Sequence, residues 1–168
     1  MNGEDQGYRE EREDDIVLTR EGYEKLAQEL DYLKNTKRWE VAKRIEQARA
    51  HGDIMENSEY DDAKHEQAFV AGRILEIERI LENARIIREG DFQAGQVTLG
   101  TTVVLRDHDR GEELTYRVVS SAEARGDRSC ISDQSPVGKA ILGHGEGEVV
   151  EVSTPAGILH YEIIRIER

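Results

Sequence analysis

Apolar side chains in the first half of the chain recur at helical spacing. From Thr19 onward, Tyr23, Leu26, Leu30 and Leu33 follow one another at intervals of three and four. That period lines them along one face of an α-helix. A polar stretch, KNTKR (34–38), interrupts the stripe, which resumes at Val41, Ile45 and Ala48. Thr19 is suited to cap this segment, and the glycine of His51-Gly52 to stop it. A second stripe is more regular: Tyr60, Ala63, Gln67, Val70, Ile74, Ile77, Leu81 and Ala84. It reads as the seam of a two-stranded coiled coil. Two helical segments joined by a short bend predict an antiparallel hairpin. At about 30 residues each and about 1.5 Å per residue, the arm should extend on the order of 45 Å.

Beyond Gly90 the pattern changes to short β-rich runs separated by turn residues: TTVVLRD (101–107), ELTYRVVS (113–120), GEVVEVSTP (147–155) and GILHYEIIRIER (157–168). DHDRGE and TPAG have the composition of hairpin turns. SPVGKAILG (135–143) predicts a short helix, with Ser135 as cap, Pro136 at the first helical position and Gly143 as the stop. The chain therefore divides into an acidic tail (1–15), a helical arm (16–89) with its tip at 51–60, and a small α+β domain (90–168), entered through GDFQAGQ (90–96).

Composition sharpens this division. With 37% hydrophobic and 35% charged residues, one compact core is poorly supplied, whereas a rod joined to a small domain is not. The formal net charge of -13 opposes association with nucleic acid backbone and with anionic membrane. A polynucleotide role then needs a local basic patch, a metal or a protein partner. The sequence holds no run of about 18 apolar residues that would span a bilayer. Its first 15 positions carry seven acidic residues, where a signal peptide would be basic and then apolar. They read as a solvated, disordered tail. Cys130 is the only cysteine, so a cytoplasmic, reducing setting is expected, with Cys130 a small residue on a strand.

The candidate chemistry lies at the bend, HGDIMENSEY (51–60). Asp53 and Glu56 are three apart, so in a helical turn their carboxylates point to one side. Such a pair can hold a hard cation, and magnesium commonly takes only one or two protein carboxylates. The same spacing is that of a capping box, and Ser58 with Asp61 makes a second cap-like pair. The two readings are not exclusive. Ile54 and Met55 lie between the carboxylates, which capping does not explain; apolar side chains at the end of a probe suggest a contact made elsewhere. Arg49 and Lys64 flank the bend, either to offset repulsion near a polyanion or as solvated helix charges. The five histidines lack metal-ligand spacing, and one cysteine cannot complete a zinc site. GHGEGE is acidic and leads into a strand, unlike a phosphate loop. No nucleophile stands with a base, so the chain is not expected to be an enzyme by itself.

LTREGYEKLAQEL (18–30), ARAHGDIMENSEYDDAKHEQAFVAGRI (48–74) and ISDQSPVGKAILG (131–143) resemble the bacterial Gre transcript cleavage factors, a likeness that runs over residues 16 to 168. The resemblance implies an α+β protein: an N-terminal antiparallel α-helical coiled-coil hairpin followed by a small FKBP-like domain. It implies a monomeric transcription elongation factor whose partners are RNA polymerase and the nascent RNA 3′ end. Such a factor inserts its coiled coil through the secondary channel, docks its C-terminal domain at the rim and stimulates the polymerase's own cleavage of backtracked RNA. By position, Asp53 and Glu56 match the acidic pair that helps hold a magnesium ion shared with the polymerase active site; the isolated protein binds none tightly. Asn57 and Tyr60 match tip-shaping residues. Arg49 and Lys64 fall where basic residues approach the RNA, and Ser135 and Pro136 match the rim-contacting turn. Lys64 stands where some members carry arginine, and Gln134 where others carry Asn or Asp. The family also contains paralogs that inhibit polymerase, with a denser acidic tip; Asp53 and Glu56 favour a stimulator. Two further alternatives are a prolyl isomerase, for which residues 90–168 offer only Phe92, Tyr116 and Tyr161 as aromatic lining, and a coiled-coil adaptor, which would tolerate Asp53→Ala.

Overall fold

The structure, a computed structural model of the chain, describes residues 15–52 and 57–168. A short strand, β1 (Ile16–Leu18), leads into α1 (Arg20–Tyr32). Thr19 caps α1 as its sequence position suggests, its hydroxyl accepting from the Gly22 amide at 3.0 Å. The polar interruption Leu33–Lys37 forms a π-helical stretch instead of ordinary α-helix, and α2 (Arg38–Ala50) continues directly from it. A wider turn takes up extra residues without breaking the rod, which is why the apolar stripe pauses and then resumes on the face it left. Leu26, Leu33, Val41, Ile45 and Ala48 are all buried.

The return helix, α3 (Ser58–Glu82), buries Ala63, Val70, Ile74, Ile77 and Ile80 against that face. Gln67, assigned to the seam from its spacing, is exposed. Ala84, also assigned to it, lies past the helix on β2 (Ala84–Ile86). The two strands β1 and β2 pair in parallel, Ile16 opposite Ala84 and Leu18 opposite Ile86. This pairing closes the base of the arm and has no counterpart in the sequence expectation.

Cross-helix ion pairs fix the antiparallel register: Glu29 with Arg73, Lys34 with Glu78, and both Lys37 and Arg44 with Glu66. The Arg73 guanidinium donates from Nε to Glu29 at 2.7 Å and from Nη2 to its second oxygen at 2.9 Å. These bonds raise its pKa, and the bond Arg73 gives Glu76 lowers that carboxyl. Planar bidentate pairing is worth more than an ordinary surface ion pair, though Glu29 is partly solvated. Glu29→Gln is expected to lower stability by about 1 kcal/mol in urea unfolding, with a smaller loss at high salt.

The second core belongs to a five-stranded sheet, in the order β5-β4-β3-β7-β6. Its strands are β3 (Thr102–Asp107), β4 (Glu113–Val119), β5 (Cys130–Ser132), β6 (Val149–Thr154) and β7 (Gly157–Glu167). All neighbours are antiparallel except β4 and β5. Cys130 does sit on a strand, at the start of β5. The short helix α4 (Pro136–Ile141) packs Ile141 into this core beside Val103, Leu105, Val118 and Ile163. Gly143 follows it at φ 78°, the left-handed stop that a glycine supplies without strain.

Candidate functional site

The bend between α2 and α3 is built by a few polar side chains. α2 ends at Ala50, and His51 is its C-terminal cap residue, with its Nδ1 2.8 Å from the Gln47 carbonyl. Gly52 is not in the left-handed region, so the stop comes from His51 and not from a glycine turn. α3 is capped by Asn57, whose Oδ1 accepts from the Tyr60 amide at 3.2 Å. Ser58, one cap candidate of the sequence, is not the cap but the first residue of this helix; Asp53, the other, lies outside the described residues.

Asn57 does more than cap. Its Nδ2 donates 2.7 Å to the carbonyl oxygen of Ala48 in the last turn of α2. One amide therefore satisfies an orphan donor at the start of one helix and an acceptor near the end of the other. The guanidinium of Arg49 lies over the Tyr60 ring, 5.8 Å from its centroid, a second link between the two helix ends. Arg49, Asn57 and Tyr60 are thus brought together as one junction. Lys64 lies one turn beyond Tyr60 on α3 and donates to Gln67 Oε1 at 2.8 Å. Asp53, Ile54, Met55 and Glu56 lie outside the described residues. In the sequence they fall between Gly52 and Asn57, and the junction joins the helix ends on either side.

Ser135 and Pro136 stand elsewhere, at the start of α4. The Ser135 hydroxyl donates to the Ser132 carbonyl at 2.7 Å and accepts from the Gly138 amide at 3.0 Å. This is a tight turn: a Cβ on Gly138 would meet the Ser132 carbonyl oxygen at 1.9 Å. Among the described residues, no group of three or more His, Cys, Asp or Glu side chains is arranged to hold a metal. The two carboxylates of 53–56 fit a hard, oxygen-seeking cation by their donor chemistry, and fit one that completes its shell from a second molecule. No described helix is long and apolar enough to cross a membrane.

Residues 16–86 match the family model for the transcription elongation factor N-terminal domain, and residues 93–168 that for the GreA/GreB C-terminal domain. The chain belongs to the GreA/GreB family of transcription elongation factors. Transcription elongation factor GreA of Thermoanaerobacter pseudethanolicus is 52% identical over 153 residues, 91% of this chain and 98% of that protein. GreA of Caldanaerobacter subterraneus subsp. tengcongensis is 50% identical over 153 residues, with the same shares. Among solved structures, the GreA factor homolog 1 (Gfh1) protein of Thermus thermophilus is similar at 36% identity over 92% of this chain and 99% of that one, with a TM-score of 0.42. Within the GreA/GreB framework, the double role of Asn57 is a feature that sequence spacing missed. Its signal was present, since asparagine is among the best N-cap residues. Its neighbours Asp53 and Ser58 carry the same signal.

Proposed function

We propose that this chain binds RNA polymerase, passes its helical arm through the secondary channel and stimulates the polymerase's intrinsic cleavage of backtracked RNA 3′ ends. The feature that supports this most is the acidic pair Asp53 and Glu56 in the sequence between the end of α2 and the start of α3. The Asn57 junction favours a fixed separation of those ends. Magnesium shared with the polymerase would activate water and stabilise charge developing on the phosphate. Asp53 and Glu56 would supply oxygen ligands, Arg49 and Lys64 would face the RNA 3′ segment, and Ser135 with Pro136 would present the turn of an FKBP-like domain to the channel rim. The chain would act in the cytoplasm as a monomer and would not itself be the enzyme.

A purified, backtracked transcription complex with magnesium tests this directly. Adding the protein should accelerate release of the RNA 3′ fragment at least tenfold over polymerase alone. Slowed nucleotide addition without faster cleavage would instead establish the inhibitor reading, in which the arm occupies the channel without stimulating cleavage.

A further inference from the structure

A carboxylate from the sheet domain caps the arm. Glu123 lies in the turn after β4, where its own amide and that of Ala124 both donate to the Ser120 carbonyl at 3.0 Å. Its side chain reaches the start of α1, 104 residues away in sequence. One oxygen accepts from the Thr19 amide at 2.9 Å, and the other pairs with the Thr19 hydroxyl. Thr19 is 3% exposed, and its hydroxyl passes the link on to the Gly22 amide. A negative group at a helix N-terminus is favoured by the unpaired amides and the macrodipole, and here the group comes from the other domain.

Gly22 makes room for it. A Cβ at this position would meet the Glu123 Cδ at 2.1 Å and its two oxygens at 2.4 and 2.5 Å. Among the described residues, the ion pairs between α1 and the sheet domain are Arg117 to Glu21 and Lys25 to Asp127, each at 3.4 Å and solvated. Such exposed pairs hold an angle weakly. Ala122 packs against the arm core beside this contact.

We infer that Glu123, seated over Gly22, is a positioning latch that sets the direction of the arm relative to the sheet domain. This rests on the proposed function, in which the domain docks and the tip must reach a site. The 25 residues of α3 make a lever of about 37 Å, so each degree of tilt at the base moves the tip by about 0.6 Å. Misplacement of about 1 Å at a reacting centre can cost on the order of 100-fold in rate. A loosened base would therefore spoil chemistry at the tip without touching it.

The test uses the full chain with polymerase. It compares the wild type with Gly22→Ala and Glu123→Ala for maximal cleavage rate and half-saturating concentration. In parallel, the distance between spin labels at Lys43→Cys and Glu112→Cys is measured in a Cys130→Ser background, with and without each substitution. Both variants are expected to lose at least tenfold in maximal rate, with half-saturation within about twofold, and to broaden or shift the label distance. Alanine is the better helix former, and the atoms it displaces are the far end of a flexible side chain. Gly22→Ala should therefore still fold, its gain in helix propensity of about 1 kcal/mol offsetting part of the lost Glu123 bonds to Thr19, yet work worse. Unchanged label distances in both variants would overturn the latch whatever the rates. A shifted distance with an unchanged maximal rate would overturn its role in positioning. A wild type that does not stimulate cleavage would overturn the function beneath it, while the label distances still decide whether the latch exists.

Discussion

Replacing both tip carboxylates, Asp53→Ala with Glu56→Ala, is expected to return RNA cleavage to the rate of polymerase alone, a loss of at least tenfold, while binding to polymerase persists. Oxygen ligands that help hold a catalytic cation act through charge, and removing them forfeits stabilisation of the developing phosphate charge. A helix-capping role makes a different forecast. Asn is as good a cap as Asp, so Asp53→Asn would be silent if Asp53 only capped a helix. It would be nearly as damaging as alanine if the carboxylate holds a cation, because a neutral amide is a far weaker ligand for magnesium. The structure weighs on this comparison: α3 already has its cap in Asn57, so the long helix has no need of Asp53 in that role. Cleavage rates for the two single neutral variants, Asp53→Asn and Glu56→Gln, beside competition for polymerase binding, separate the alternatives. If both keep wild-type rates, the acidic pair is not a ligand set.

What could be read from the sequence was local or periodic. The buried faces of α1, α2 and α3 announced themselves because each must hide one stripe of apolar side chains. Thr19, Ser135, Pro136 and Gly143 were legible because capping chemistry acts within four residues. The strands of the second core showed through their β-branched runs. What escaped was non-local or degenerate. Strands β1 and β2 have three residues each, too short to show a period, and they exist because two ends of the arm meet. The π-helical stretch looked like a gap in a pattern, since the sequence shows only that polar residues intervene. The Glu123 contact joins residues 104 apart, and an exposed-looking glutamate in a loop carries no local sign of a distant partner.

The tip shows the same division at closer range. HGDIMENSEY contains Asp53, Asn57 and Ser58, three residues with the chemistry to cap a helix, and spacing to an acidic residue favoured two of them. The choice is made across the hairpin. Asn57 accepts from an α3 amide while donating to α2, because it carries an oxygen and an NH2 on one planar group. An ionised Asp has no donor for the second task, and Ser58 is already inside the helix. Local propensity thus nominated several caps, and the tertiary contact with Ala48 selected one.

That selection gives the second expected result. Asn57→Ala removes the cap and the bridge together, at a cost of about 1 kcal/mol for each, and should lower the cleavage rate at least tenfold by letting the helix ends drift. Asn57→Asp is the sharper variant. Its carboxylate still accepts from the Tyr60 amide, and its charge suits a helix N-terminus. In place of the NH2 donor, however, it sets an oxygen against the Ala48 carbonyl. Hydrogen exchange should show the Tyr60 amide protected in Asn57→Asp and unprotected in Asn57→Ala, while cleavage falls in both. A wild-type cleavage rate in Asn57→Asp would mean that capping alone is what Asn57 contributes. A fall in rate with the cap intact would place the effect on the link between the two helices, where one amide fixes the separation from which Asp53 and Glu56 are presented.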